Sequence, residues 1–248
     1  MRVDVVFGGA ALMPSDVSGR VVAVIDVLRA STSIATALNN GAKAVIPLES
    51  SDEVVTRSKA LERSDVRLAG ERRMLAIPGF DLGNSPREFT RAAVEGKTIL
   101  MTTTNGTPAI TNTQGARDVV IASYVNYTAV LTMLRTALRG GTDITLVCAG
   151  RERQFALEDA GCAGRFVTNV SKRLTGVSVN DAAQACALID KRYGEQVLKL
   201  FEASEHGRAL RDAGFGDDLT ACAAIDAHPV IPLYSDRQIT KLGPDRER

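Results

Sequence analysis

The stretch Val21–Ser50, VVAVIDVLRASTSIATALNNGAKAVIPLES, decides the fold class. Val21–Ile25 is an apolar, β-rich run bounded by polar residues. Ser31 to Leu38 reads as a helix, with Ser31 or Thr32 as its cap and Asn40-Gly41 as its stop. Ala44–Leu48 is a second strand. Strand, helix and strand in succession predict an α/β protein.

The same alternation continues outward. Val3–Phe7 is a strand, Asp52–Leu61 a helix and Val66–Ala69 a short strand. NSPRE, Asn84 to Glu88, reads as a helix start: Ser85 caps, Pro86 suits the first turn and Glu88 completes a capping box. That helix runs to about Val94. Next come strand Thr98–Met101, a helix over 106–114, strand Val119–Ala122 and a helix from Asn126 to Leu138. Ile144–Cys148 is a strand and Leu157–Leu174 a long helix. Beyond residue 176 the pattern is mainly helical, over 181–192, 194–203, 205–213 and 217–226, with a last strand Val230–Leu233 before a polar tail. The expected architecture is a largely parallel sheet flanked by helices on both faces, with a helical C-terminal third. Residues 1–248 read as a single α/β domain; two lobes with the site between them are the alternative division.

Composition excludes several classes of function. The chain has 248 residues and a formal net charge of +1, so no bulk field draws it to nucleic acid or an anionic membrane. Aromatic residues make up 4% with no Trp, which argues against base-stacking platforms. The N-terminus lacks a signal-like apolar region, and no apolar run approaches the ~20 residues that span a bilayer. The four cysteines are widely spaced and read as buried thiols of a reducing compartment, hence a cytoplasmic protein. A homodimer is the symmetry-based default.

Ligands of open α/β sheets bind at the carboxyl ends of strands, so the residues just past each strand are the ones to inspect. Asp26 and Arg29 come after the Val21–Ile25 strand, and Gly70-Glu71-Arg72-Arg73 after Val66–Ala69. TTTNGT, Thr102 to Thr107, succeeds Thr98–Met101, while Gly150, Arg151, Glu158 and Asp159 lie beyond Ile144–Cys148. Carboxylates, arginines, hydroxyls and glycines delivered to one edge suit anion handling with a hard metal. Mg²⁺ takes oxygen ligands, and Arg matches phosphate or sulfonate oxygens. TTTNGT is expected to be an anion cradle of hydroxyls, the Asn105 amide and free N–H groups.

Other phosphate chemistries find no support. Cys186 and Arg192 have the C-x5-R spacing of cysteine phosphatases, but within a helix-like run without a Gly-rich loop. Asp26-Val27-Leu28 lacks the second Asp of an aspartyl-phosphate motif, and neither a phosphate loop nor a G-x-G-x-x-G fingerprint is present. With only two histidines, His206 and His228, a His-rich metal centre has little to build from; EHGR, Glu205 to Arg208, places His206 beside an Arg.

In order along the chain stand VIDVLRASTSIATALNNGA, GER, GFDLGNSP, TTTNGTPAI, CAGRERQFALEDAGCAG and SEHGRALRDAGFGDDLTACAAID. Together they resemble the 2-phosphosulfolactate phosphatase family, associated with coenzyme M biosynthesis, over Val24 to about Pro232. The resemblance implies a Mg²⁺-dependent acid phosphatase acting on (R)-2-phospho-3-sulfolactate, with an α/β fold unlike the common phosphatase folds. Two departures flank the expected site: Arg72-Arg73-Met74-Leu75 and Glu152-Arg153-Gln154 stand where family members often carry a glycine.

Each candidate residue has an expected role. Asp26, Glu71 and Asp159 ligate one Mg²⁺, and Arg29 draws charge from the phosphoryl oxygens. Thr103, Thr104 and Asn105 bind the remaining anion oxygens. Asp81 or Glu158 orients water, with Asn84 in support, and Arg151, Arg208 or His206 meets the sulfonate or carboxylate. The competing readings are a non-catalytic anion-binding protein, a phosphatase for a non-sulfonated ester and a nucleotide-binding transferase.

Overall fold

Every residue of strand β2 (Val21–Ile25) is buried, because both faces of the strand are covered. Val21, Ala23 and Ile25 join one core; Val22 and Val24 join another. A fully buried strand has no solvent face to mark, so its sequence is a continuous apolar run. The computed structural model describes residues 1–9, 12–152, 154–172 and 174–243.

Around β2 lies a block of parallel strands: β7 (Asp118–Ala122) on one side, then β8 (Ile144–Cys148), β1 (Arg2–Phe7) and β9 (Ser178–Val179) on the other. A second parallel block holds β3 (Ala44–Pro47), β6 (Thr98–Thr102) and β4 (Val66–Arg72), with β5 (Leu75–Ala76) turning back antiparallel on its edge. The hairpin β10 (Pro232–Ser235) and β11 (Gln238–Lys241) joins the blocks into one 11-stranded sheet through antiparallel pairings on both sides. The largely parallel sheet is therefore present, with a C-terminal insertion at its centre.

That insertion corrects the polar tail expected after residue 233. The loop residues Asp236 and Arg237 have φ of 51° and 60°, the left-handed pair of a two-residue hairpin turn. Beyond it Ile239 is fully buried between polar neighbours.

The helices are α1 (Pro14–Val17), α2 (Ala30–Asn39), α3 (Ser51–Ser58), α4 (Arg91–Val94), α5 (Gly106–Thr111), α6 (Tyr127–Arg139) and α7 (Leu157–Val170). The C-terminal third adds α8 (Asp181–Tyr193), α9 (Val197–Ala203), α10 (Glu205–Asp212) and α11 (Gly216–Ala223), as expected. Among the described residues, no helix is long and apolar enough to cross a membrane. The capped helix expected at NSPRE is instead a 3₁₀ turn, Pro86–Glu88, succeeded by the short α4. Ser85 donates to Asp218 (2.6 Å) and Glu88 accepts from the Gly83 N–H (2.6 Å), so neither side chain caps; Thr90 caps α4.

Three antiparallel steps separate β3 from β7, so the two blocks run in opposite senses along the sheet. In a flat sheet their carboxyl ends would lie on opposite edges. Here one core gathers Val22, Ile121 and Val147 of the first block with Val45, Ile99 and Met101 of the second around α2 and α5. Twist and curvature thus fold the sheet about α2, which is buried from Ala30 to Leu38. The carboxyl ends meet at a corner, which replaces the single parallel edge expected from sequence. On the outer faces, α3 covers the β3–β6–β4 block and α6 to α8 cover the other.

Helices α7 and α8 approach closely at Gly164, where a Cβ would lie 1.9 Å from the Cys186 carbonyl oxygen. Gly164→Ala is expected to cost about 2–3 kcal/mol through forced backbone movement and to lower Tm by about 4–10 °C; unchanged Tm in calorimetry would contradict this packing.

Candidate active site

Asp26 ends β2, and its backbone N–H donates to Ser31 Oγ (2.9 Å). Ala30 N–H in turn donates to Asp26 Oδ1 at 3.3 Å, which aims the carboxylate at the start of α2. The other oxygen faces the start of α5. A Cβ on Gly106 would sit 2.7 Å from Asp26 Oδ2 and 2.6 Å from Ala30 Cβ, so only glycine allows this approach.

A cavity of about 220 Å³ opens at this corner, lined among others by Asp26, Arg29, Glu71, Arg73, Asn84 and Asn105. Leu28, Met74, Thr104, Arg151, Glu152 and His206 complete its wall. Asp26, Arg29, Glu71, Asn84, Thr104, Asn105, Arg151 and His206, all expected at the site from sequence, are brought together in this wall. Leu28, Arg73, Met74 and Glu152 were not assigned there.

The TTTNGT turn works differently from an open cradle. Thr103 and Thr107 close on each other: each backbone N–H donates to the other's hydroxyl at 3.0 Å. Thr103 is buried behind the cavity wall. Thr104 N–H donates to Glu71 Oε1 (2.8 Å), while Asn105 Oδ1 accepts from Glu152 N–H (3.0 Å). Only Thr104 and Asn105 of the turn line the cavity, and the hydroxyls of Thr102, Thr103 and Thr107 serve the fold.

Glu71 is buried and clamps two turns at once, its second oxygen accepting from Met74 N–H (2.9 Å). Arg29 is also committed. Its Nη1 donates to Asp218 Oδ2 (2.8 Å) and its Nη2 to the Met74 carbonyl (2.7 Å), with the guanidinium 4.4 Å from the centre of the Phe215 ring. Asp218, unassigned from sequence, balances Arg29 and accepts from Ser85 as well. The signal available was its spacing: Asp218 and Cys222 are four residues apart on the buried face of α11, where an acid needs a partner.

Asp159 stands behind the wall, with Oδ1 accepting from Val27 N–H (2.9 Å) and Oδ2 from Gly150 N–H (3.0 Å). It ties the β2 and β8 ends together and does not line the cavity, which moves it from ligand to support. Glu158 meets His206 Nδ1 at 3.1 Å, and His206 faces both the first cavity and an adjoining one of about 350 Å³. Asp81 lies elsewhere, paired with Arg63 and accepting from Leu68 N–H (2.8 Å). Burial alone would raise its carboxyl, but the Arg63 and Leu68 hydrogen bonds hold it low; its water-orienting role is withdrawn. Arg208 lines neither cavity and donates to the Ala203 carbonyl (2.6 Å). Arg153, within the second departure, lies outside the described residues.

Electrostatics mark the corner as a site under tension. Burial pushes Asp26 up to about 6, with His206 and the Ala30 hydrogen bond opposing and Glu71 and Glu158 reinforcing. Asp159 is raised well above the carboxylate range, first by burial and then by the charges of Asp26 and Glu158. Two buried oxygens, Asn84 Oδ1 and Glu158 Oε2, have no hydrogen-bond partner among the described residues. No group of three described His, Cys, Asp or Glu side chains is arranged to hold a metal ion by itself. The donor set nevertheless fits Mg²⁺, which binds through one or two carboxylates and keeps water and substrate oxygens in its shell. Asp26 and Glu71, buried carboxylates that both line the cavity, are the residues that would supply such a pair.

Fold and cavity together define an α/β protein with a carboxylate-floored, cation-rimmed pocket for a small anionic ligand. The family model described as 2-phosphosulpholactate phosphatase matches residues 10–237. A probable 2-phosphosulfolactate phosphatase of Symbiobacterium thermophilum is 40% identical over 227 residues, covering 92% of this chain and 96% of the relative. Its counterpart in Clostridium botulinum Alaska E43 is 34% identical over 242 residues, 98% of this chain and 100% of the relative. One from Thermotoga petrophila is 39% identical over 222 residues, 88% and 90% of the two chains. The chain belongs to the 2-phosphosulfolactate phosphatase family, a family of phosphoric monoester hydrolases.

Between pH 3.8 and about 6 the folded state retains the Asp26 proton while the unfolded state releases it. Stability therefore falls as pH rises through that window, by an amount on the order of 2–3 kcal/mol. Asp26→Asn removes this cost. At pH 7 without divalent cations its Tm is expected to exceed wild type by about 4–10 °C, the gap closing toward pH 4. A lower Tm for Asp26→Asn at pH 7 would contradict the assignment.

Proposed function

We propose that this protein is a cytoplasmic, Mg²⁺-dependent phosphatase that hydrolyses 2-phosphosulfolactate to 3-sulfolactate and inorganic phosphate, a step of coenzyme M biosynthesis. The observation that carries the reading is Asp26, with its raised carboxyl, facing the same cavity as the His206–Glu158 pair. The curated names of the relatives supply the substrate. Four free, buried cysteines accord with a reducing compartment.

Asp26 and Glu71 would hold the Mg²⁺. When bound, the cation neutralises the phosphoryl oxygens and activates water for attack at phosphorus. Binding and proton transfer fall to the chain's own residues. Arg29 uses two of its donors to fix Met74 and Asp218, and the remaining guanidinium N–H groups face phosphoryl oxygens. Asn105 uses Oδ1 to hold Glu152, leaving Nδ2 for an anion oxygen. Glu158 accepts from His206 Nδ1–H, so Nε2 is the nitrogen turned to the substrate. As the P–O ester bond breaks and a water oxygen replaces it, Nε2 gives its proton to the departing alkoxide. Glu158 sustains the ring's orientation throughout.

Purified protein is expected to hydrolyse 2-phosphosulfolactate with Mg²⁺ and to stop on adding EDTA, with activity restored by excess Mg²⁺. EDTA-insensitive turnover would contradict the metal, and no hydrolysis of any phosphorylated hydroxy acid would contradict the enzyme. Proton donation by His206 is tested by leaving group. His206→Gln should lower kcat by about 10²–10³ on the alkyl ester but by far less on para-nitrophenyl phosphate, whose leaving group needs no proton. Equal losses on both would assign His206 to binding.

A further inference from the structure

Three arginines and one histidine line the cavity: Arg29, Arg73, Arg151 and His206. Three are engaged, Arg29 with Asp218, Arg151 with Glu205 and His206 with Glu158. Arg73 alone makes no hydrogen bond or ion pair among the described residues. Its neighbour Arg72 shows what a structural arginine does on this turn: it donates to Thr102 Oγ1 (3.0 Å) and to the Glu71 carbonyl (2.8 Å).

The backbone beneath Arg73 is unusual as well. Arg73 and Met74 have φ of 52° and 72°, a left-handed pair on non-glycine residues in the turn from β4 to β5. A residue with a Cβ is strained in this conformation, and glycine would relieve it. The turn is clamped from within the site: Glu71 accepts from Met74 N–H, and Arg29 donates to the Met74 carbonyl. Groups at the cavity thus hold a strained turn whose visible product is an unpaired guanidinium at the rim.

We infer that Arg73 receives the second anionic group of the substrate, so that the ester taken by this chain carries a carboxylate or sulfonate beside its phosphate. This rests on the phosphatase reading for the identity of the first group. Arg29, on the turn that follows Asp26, faces the phosphate, whereas Arg73 rides on a separate turn and presents a planar fork to oxygens at the other end of the ligand. Arg73 is a specificity-determining residue and takes no part in bond breaking.

Binding separates this inference from the catalytic one. Calorimetric titration of wild type, Arg73→Gly and Arg73→Lys uses 3-sulfolactate, lactate, 2-hydroxyethanesulfonate and inorganic phosphate. Arg73→Gly should weaken 3-sulfolactate about tenfold or more relative to phosphate, and Arg73→Lys should recover part of that loss. Lactate and 2-hydroxyethanesulfonate show which anion Arg73 meets. With glycine suited to the left-handed turn, the Arg73→Gly Tm should stay within about 3 °C of wild type. In turnover, the ratio of kcat/KM for 2-phosphosulfolactate over para-nitrophenyl phosphate should fall by a similar factor. An unchanged 3-sulfolactate-to-phosphate ratio in Arg73→Gly overturns the inference, as does failure of wild type to bind 3-sulfolactate. Wild type that binds 3-sulfolactate through Arg73 but hydrolyses no ester overturns the phosphatase reading and leaves this one standing.

Discussion

Like charges buried together are the constraint on which this structure turns. Asp26, Glu71, Glu158 and Asp159 are each less than a tenth exposed and gather at one corner. Carboxylates so placed repel one another and lack water, so each needs a fixed donor or cation. The local architecture supplies backbone N–H groups: Val27 and Gly150 for Asp159, Thr104 and Met74 for Glu71, Ala30 for Asp26. Asp159 in this way ties the ends of β2 and β8 together, and Glu71 ties β4 to the end of β6. The polar cluster is therefore the joint that holds the corner as well as the chemistry within it.

Sheet topology explains how distant residues reach that joint. The two parallel blocks run in opposite senses across the β10–β11 hairpin, and curvature around α2 brings their carboxyl ends together. Small residues permit the closeness. Gly106 admits the Asp26 carboxylate, and the small residues of α2 allow the sheet to wrap a helix that is buried from its first residue to Leu38. The rim then carries cations above an acidic floor. That ordering suits the proposed substrate with its several anionic groups: the acidic floor would hold a divalent ion against the phosphate, and the wall arginines would meet the rest.

Much of this was legible because it is local. Apolar runs such as Val21–Ile25 and Ile144–Cys148 mark buried strands, and the polar residue after each is where a strand ends. Asp26, Glu71 and Asn105 were found that way, and His206 because the chain has only two histidines. The hidden part depends on pairing across the chain. Thr103 faces Thr107 instead of the cavity, and Asp159 meets Val27 and Gly150; no spacing rule shows which side of a wall a side chain takes. Asp81 looked like its neighbour Asn84, yet Arg63 claims it. Ser85 and Glu88 matched a capping box, but the distant Asp218 takes the Ser85 hydroxyl and the nearby Gly83 N–H takes Glu88. Strand β11 escaped because QITK is polar at both ends and only Ile239 is buried.

The central claim is that Asp26 carries a desolvated carboxyl among like charges that a divalent cation relieves. A pH titration of the Asp26 side-chain carbon by NMR, without and then with Mg²⁺, tests it most directly. The account predicts a midpoint of about 6 in the metal-free protein and a clear displacement to lower pH once Mg²⁺ is added. A midpoint near the ordinary aspartate value of about 4, unmoved by the metal, would contradict it.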